Sequence, residues 1–199
     1  MEESVQLKLM GITYNQIENG VYALILEDPI TKKRLAIVIG YPEAQSIECH
    51  LRGVKTSRPL SHDTMAAILQ QLGGKLLRVD IHRLPAGPYA GKLSILTEYG
   101  EVREVDARSS DAVALAIRVG APIYTSLALL EKEGYVPRPG KEAKENNKRK
   151  SASARLSASG LSISELEALL EKYVAEENYE EAAKIKQEID LRKSGDNTQ

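Results

Sequence analysis

The chain contains no phenylalanine and no tryptophan, and it has a single cysteine, Cys49. One cysteine excludes an internal disulfide, and a lone cysteine is more commonly a small buried hydrophobe than a nucleophile. No apolar run approaches the roughly 20 residues that a membrane-spanning helix needs. The first residues, MEESVQLKLMG, lack the basic and apolar regions of a signal peptide. We therefore expect no membrane contact and a location in the cytoplasm.

Charge is distributed unevenly along the 199 residues. Residues 1–137 are nearly neutral, whereas residues 138–160 hold seven basic side chains against two acidic ones, and the remainder is acidic. The basic segment has almost no large apolar side chains, so it cannot bury enough surface to offset the entropy lost on ordering. These shifts predict a body over 1–137, a flexible linker over 138–160, a small helical module over 161–193 and a tail over 194–199.

Hydrophobic periodicity predicts about six strands and four helices in the body. Met65, Ile68, Leu69 and Leu72 recur at i, i+3, i+4 and i+7, which predicts a helix whose apolar face contacts the core, with Ser61 as its N-cap. Strands and helices do not alternate regularly. The pattern therefore indicates an α+β fold with a mixed, largely antiparallel sheet, followed by the linker and a C-terminal αα-hairpin.

The C-terminal module carries two helical stripes of apolar residues separated by the polar stretch EENY. A hairpin of about 30 residues buries too little surface to have a good core of its own. We expect its apolar face to pack on a protein partner, on a second copy or on the body. The stripes comprise Ile163, Leu166, Leu170 and Tyr173 in the first helix, and Tyr179, Ala182, Ile185 and Ile189 in the second.

Acidic residues recur in the first turns of three predicted helices: Glu43, Asp63 and Asp111. The free N–H groups and the helix dipole attract negative charge there, so each carboxylate alone is explained by capping. Two arginines lie beside them and give the pattern more weight, because arginine binds phosphate in a bidentate manner. Arg58 precedes Pro59 in a loop, and Arg108 lies between a strand and a helix.

His62 lies in a first turn, where a positive charge is disfavoured, so a neutral imidazole is favoured that could act as a base or a metal ligand. Asp106 ends the strand before Arg108. The neighbours Ser61, His62 and Asp63 do not form a catalytic triad, since adjacent residues of a helical turn point apart. The sequence also lacks a Walker loop, a dinucleotide fingerprint and zinc-ligand spacing.

Several motifs together resemble the bifunctional nuclease domain family. The resemblance covers roughly residues 5–137 and rests on IG at 39–40, EA at 43–44, RPL at 58–60, HD at 62–63, and DAR running into SDA at 106–112. It implies an α+β domain that dimerises or forms a higher homo-oligomer and cleaves both DNA and RNA. Ser109 stands where the family usually has proline, and Pro88 stands where it often has an aromatic residue.

The resemblance implies a phosphodiesterase site built from two polar loops. Asp63, Asp106 and Asp111, with Glu43 as a weaker candidate, would bind Mg²⁺ or Mn²⁺ through oxygen ligands. His62 would act as a general base or ligand, and Arg58 and Arg108 would bind the phosphate. This hypothesis requires the loops around 58–63 and 106–111 to meet in space.

The C-terminal segment resembles the UVR motif, a helical hairpin of bacterial excision-repair proteins that mediates protein contacts. Its NYEEAA core is present, but Lys186 and Gln187 replace the usual Arg-Asp pair. The resemblance implies a protein partner bound through residues 161–193.

An alternative of another class is a non-catalytic regulatory or adaptor protein that binds an anionic ligand or a protein partner. It is consistent with the nearly neutral body, since sequence-independent binding to nucleic acid is largely electrostatic. A cleft that gathers Arg58, His62, Asp63, Asp106 and Asp111 favours catalysis. Burial of the same side chains in caps and salt bridges favours the adaptor.

Overall fold

A computed structural model describes residues 3–15, 21–85, 87–137, 161, 163–175 and 178–195. The predicted linker over 138–160 lies outside the described residues, as does the end of the tail. The body contains seven strands and four helices within its described part. In chain order they are β1 Ser4–Asn15, β2 Val21–Glu27, β3 Arg34–Ile39, α1 Tyr41–Leu51, α2 Ser61–Gln71, β4 Lys75–Arg83, β5 Tyr89–Leu96, β6 Val102–Arg108, α3 Ser109–Val119, β7 Ile123–Ser126 and α4 Leu127–Glu133.

The strands form one mixed sheet in the order β3-β2-β1-β7-β4-β5-β6. Neighbouring strands are antiparallel except β4 and β7, which are parallel. The α+β prediction is confirmed. β7, which the sequence pattern did not predict, is a strand of four residues that joins the two halves of the sheet.

Helix α3 is the central helix of the layer that covers one face of the sheet. It packs on β4 and β5, while α1 and α2 both contact it. Its sequence, SSDAVALAIRV, buries small side chains, and small residues allow a helix to approach a sheet closely. A Cβ atom at Gly91 of β5 would overlap the Cβ of Ala112. This close approach fixes where the first turn of α3 lies relative to α1 and α2.

Two predictions about α2 are wrong. Ser61 is the first helical residue rather than the N-cap, which is Leu60. Met65, Ile68 and Leu72 are exposed by 46%, 54% and 68%, so the stripe does not face the core. Periodicity shows that residues share a face of a helix, but it does not show whether another element covers that face. Leu69 alone of the four packs against the core.

The C-terminal module is a helical hairpin, as predicted, with α5 Ile163–Ala175 and α6 Tyr179–Gly195. Leu161, Leu166, Ile185 and Ile189 form its buried cluster, and Val54 of the body packs against that cluster. Arg52 also donates a hydrogen bond of 2.9 Å from Nη1 to the hydroxyl of Tyr173. Among the described helices, none is both long and apolar enough to cross a membrane.

Candidate functional site

The first turns of α1, α2 and α3 border one cleft. Its volume is about 380 Å³, and its lining includes Glu43 of α1, His62 of α2 and Asp111 of α3, with Arg108 just before α3. All three helices begin after an extended residue. The backbone N–H groups in the first turn of a helix have no partner within that helix. Three helix starts beside one cleft favour an anion there, since both the N–H groups and the dipoles attract negative charge.

The two polar loops predicted from the sequence meet in this cleft. His62 Nε2 lies 3.0 Å from Asp111 Oδ1, and the imidazole is largely buried. A carboxylate accepts hydrogen bonds, so Nε2 carries the proton of this bond. The other ring nitrogen, Nδ1, lies 2.8 Å from the hydroxyl of Ser46 in α1. Both nitrogens of His62 are therefore engaged, and the ring has one fixed orientation.

Arg108 connects the start of α3 with the start of α1. Its Nε and Nη2 donate to Asp111 over 2.7 and 3.0 Å, and its Nη1 lies 2.7 Å from Glu43 Oε1. Burial raises the pKa of the Asp111 carboxyl, but the hydrogen bonds from Arg108 and His62 outweigh it and leave that pKa below its usual value. The hydrogen bond to Asp111 raises the pKa of Arg108 in turn. The guanidinium is nevertheless 68% exposed, so a ligand in the cleft can reach it.

Asp63 makes contacts that cap and anchor α2. Its Oδ2 accepts from the Leu60 amide over 2.9 Å, and its Oδ1 accepts from Arg118 Nε over 2.6 Å. Burial raises the pKa of the Asp63 carboxyl, but these hydrogen bonds outweigh it and hold the pKa below its usual value. Asp63 and Arg118 line a separate cleft of about 830 Å³. The structure thus brings Asp63 close to the site through Arg118, although Asp63 does not line the smaller cleft.

Arg58 and Asp106 are not among the described residues that line the smaller cleft. Arg58 is exposed in the loop before α2, and its carbonyl accepts a hydrogen bond of 2.5 Å from the Thr56 hydroxyl. Asp106 lies opposite Lys92 in the β5–β6 pairing. Because Leu93 faces the core and neighbouring strand residues alternate, Lys92 and Asp106 face away from α3.

Sequence reasoning missed Ser46 and Arg118. Arg118 is only 4% exposed and donates to Asp63, to the Ala114 carbonyl, and to both the carbonyl and hydroxyl oxygens of Ser46. The sequence contained only a weak indication that these two residues matter. Each is a polar residue in a helix that also buries apolar side chains, and a buried polar residue needs partners.

Cys49, the single cysteine, is buried in α1, and burial raises the pKa of its thiol. A raised pKa lowers the fraction of reactive thiolate. The prediction of a small buried hydrophobe is consistent with this environment.

The predicted metal ligands do not form a group around one point. Glu43 and Asp111 both pair with Arg108, and Asp63 pairs with Arg118. Among the described residues, no three histidine, cysteine, aspartate or glutamate side chains are arranged to hold a metal ion. The arrangement of these side chains does not fit Mg²⁺ or Mn²⁺ as it stands. Metal binding stays a prediction, and no chemical step below depends on a metal ion.

Comparison with known protein families gives two matches, one to the body and one to the C-terminal hairpin. The model of the bifunctional nuclease domain matches residues 24–138, and that of the UvrB/UvrC motif matches residues 161–191. Both resemblances found in the sequence motifs are confirmed. Similar proteins include the uncharacterized proteins MT1877 and Rv1829 from two strains of Mycobacterium tuberculosis. Each is 35% identical over 131 residues, which cover 66% of this chain and 77% of the relative.

Proposed function

Because the chain belongs to the bifunctional nuclease domain family, we propose that it hydrolyses phosphodiester bonds of DNA and RNA in the cleft between α1, α2 and α3. The observation that carries this proposal is the hydrogen bond between His62 and Asp111. It joins the loops around 58–63 and 106–111, whose polar residues were predicted from the sequence to share one site. Fold alone does not determine activity, so the proposal depends on this constellation of side chains.

Arg108 is the proposed phosphate ligand. Its guanidinium is exposed and already binds two carboxylates, Glu43 and Asp111, in the geometry that also suits phosphate oxygens. A phosphodiester entering the cleft would replace these carboxylates as the partner of the guanidinium. The N–H groups of the helix starts would bind the remaining phosphate oxygens. Arg58, exposed in the loop before α2, is a second cation for the same strand of nucleic acid.

Substrate binding itself would prepare the base. The bonds from Arg108 help hold the pKa of Asp111 low, so drawing Arg108 toward phosphate makes the carboxylate more basic. The Asp111 carboxylate then accepts a proton from the attacking water, while His62 keeps its proton on Nε2 and donates to that carboxylate. The water oxygen bonds to phosphorus, the bond to the leaving oxygen breaks and that oxygen takes up a proton from solvent, and Arg108 offsets the charge that develops on the phosphate.

The neutral body has a consequence for this chemistry. The nearly neutral residues 1–137 give little sequence-independent electrostatic affinity, so binding should be weak, and with few phosphate contacts its dependence on salt should be shallow. We expect the UVR hairpin to bind a protein partner through residues 161–193 and thereby bring the body to its substrate. A homodimer or higher homo-oligomer, and a cytoplasmic location, stay predictions.

The second candidate is a non-catalytic adaptor that binds an anionic ligand. Its support is that Glu43, Asp63 and Asp111 all pair with arginines, as in a structural salt-bridge network. Under this hypothesis the cleft binds phosphate groups without cleaving them. A cleavage assay separates the two candidates.

The assay uses defined single-stranded and double-stranded DNA and RNA, with and without divalent metal. The full-length protein is compared with an Asp63→Asn/Asp111→Asn double variant and with Glu104→Gln, whose exposed side chain pairs with Lys92 away from α3. We expect cleavage by the wild type and by Glu104→Gln but not by the double variant. Equal cleavage by all three preparations would indicate a contaminating host nuclease and would contradict the proposal.

A further inference from the structure

A continuous chain of hydrogen bonds runs from the interior to the cleft. Arg118 Nη2 lies 2.9 Å from Ser46 Oγ, Ser46 Oγ lies 2.8 Å from His62 Nδ1, and His62 Nε2 lies 3.0 Å from Asp111 Oδ1. The chain crosses all three helices, since Ser46 belongs to α1, His62 to α2, and Arg118 and Asp111 to α3. Each link has the length of an ordinary hydrogen bond.

The two ends of this chain fix its direction. A guanidinium can only donate, so Ser46 Oγ accepts from Arg118. An ionised carboxylate can only accept, so His62 Nε2 donates to Asp111. In the neutral ring Nδ1 is then the acceptor, and the Ser46 hydroxyl donates to it. Every group on the path is satisfied by one arrangement of protons.

We propose that Ser46 and Arg118 are positioning residues that hold His62 in the tautomer with its proton on Nε2. This inference deepens the proposed function, since it concerns the Asp111–His62 couple. Ser46 and Arg118 act through His62 rather than on substrate. Both are nearly inaccessible, and Arg118 is held by the Asp63 carboxylate and the Ala114 carbonyl, so its donor is fixed relative to three helices.

Fixing the tautomer matters because the two tautomers of His62 contact Asp111 differently. With the proton on Nε2, the ring orients the carboxylate and supports it when it receives a proton. With the proton on Nδ1, the Nε2 lone pair would face the carboxylate, and the pair would repel. The Asp111 carboxylate itself favours the proton on Nε2, and the Ser46 hydroxyl adds to that preference by donating to Nδ1.

The test combines spectroscopy with kinetics on the full-length protein. The ring nitrogens of His62 are observed by NMR in protein labelled with ¹⁵N-histidine, at a pH where the ring is neutral. The chain has 3 histidines, so His50→Gln and His82→Gln variants assign the His62 signals by elimination. The same measurement is made on Ser46→Ala, which removes only a hydroxyl, and on Arg118→Lys, which keeps the charge but not the fork of donors.

In the wild type we expect a protonated Nε2 and an Nδ1 that accepts a hydrogen bond. In Ser46→Ala the Nδ1 signal should move to that of a free nitrogen. The kcat for cleavage should fall about 10-fold, part of the roughly 10²- to 10⁴-fold that general acid–base catalysis contributes. KM should stay within about twofold, because the hydroxyl does not bind substrate. Arg118→Lys should show a smaller change in the same direction.

A wild-type ring protonated on Nδ1 would overturn the inference, as would a Ser46→Ala variant with unchanged ring signals or unchanged kcat. The nitrogen signals also separate this inference from the proposed function. A protein that cleaves nothing but shows the expected tautomer, with an Nδ1 signal that Ser46→Ala shifts, would overturn the catalytic role and retain the positioning contact. If Arg118→Lys does not fold, Ser46→Ala still decides the question.

Discussion

Asp111 Oδ1 and His62 Nε2 lie 3.0 Å apart, although 49 positions separate the two residues in the chain. Asp111 accepts from His62 on one oxygen and from Arg108 on both. A carboxylate with these partners holds the imidazole in one orientation, and the guanidinium remains open to solvent. The cleft therefore combines an oriented acid–base couple with an exposed cation.

Replacing Asp111 by asparagine should abolish most of the cleavage. The amide is neutral and does not accept a proton from water, and its NH₂ group can face the His62 N–H and repel it. We expect kcat to fall by at least about 10²-fold, the lower end of what general acid–base catalysis contributes. Single-turnover cleavage of a fluorescent oligonucleotide measures the change. Glu104→Gln is the control, because it also replaces one carboxylate by a neutral amide. Retained cleavage by pure Asp111→Asn would rule out this role.

Replacing Arg108 by lysine should weaken substrate binding although the positive charge is kept. Lysine keeps the positive charge but loses the planar fork that binds two phosphate oxygens. We expect KM to rise by about 10-fold, which corresponds to roughly 1.4 kcal/mol of binding free energy. Arg103→Lys is the matched control, since Arg103 is an exposed residue of β6 whose partner is Glu101. A KM for Arg108→Lys that stays as close to the wild type as that of Arg103→Lys would show that the positive charge suffices and that the planar fork does not bind phosphate.

Much of the fold followed from local patterns. The acids in the first turns marked the starts of three helices, and hydrophobic patterns predicted about six of the seven strands. The meeting of His62 with Asp111 was a hypothesis from the sequence, because periodicity places residues on a face but does not bring distant loops together. The short strand β7 carried too few residues for a clear pattern.

The parts that sequence did not predict have a common physical reason. Asp63 pairs with Arg118, which lies 55 positions further along the chain, so no local spacing connects them. Asp106 is close to Arg108 in sequence, but strand alternation and the pairing with Lys92 direct it to the other face of the sheet. Long-range pairing decides these cases, and a local window contains no information about it.

The exposed stripe on α2 predicts a contrast in stability. Ile68→Ser should change the free energy of unfolding by no more than about 0.5 kcal/mol, because more than half of Ile68 is accessible to solvent. Ile47→Ala, in the buried face of α1, should cost about 2–5 kcal/mol through lost packing and a cavity. Urea unfolding of both variants measures the difference. A large, concentration-dependent loss for Ile68→Ser would instead mean that a second chain covers the stripe.

The ion pair between Asp63 and Arg118 predicts a dependence of stability on pH. Burial raises the pKa of Asp63, but the hydrogen bonds from Arg118 and from the Leu60 amide outweigh it, so the pKa in the folded state lies below its usual value. A depressed carboxyl pKa contributes stability that is complete above the unfolded pKa and is lost as the pH falls through the folded pKa. Because Asp63 is partly exposed, solvent screens the pair, and we expect Asp63→Asn to cost only about 1 kcal/mol at neutral pH.

The melting temperatures of wild type and Asp63→Asn should therefore differ at neutral pH and converge in acid. The comparison uses the difference between the two proteins, since the pKa values of Asp28 and Asp111 are also lowered and make both proteins less stable in acid. Glu104→Gln, which removes an exposed carboxylate, should run parallel to the wild type. A gap that stays constant between about pH 7 and about pH 2 would mean that Asp63 stabilises α2 by shape and neutral hydrogen bonding rather than by charge.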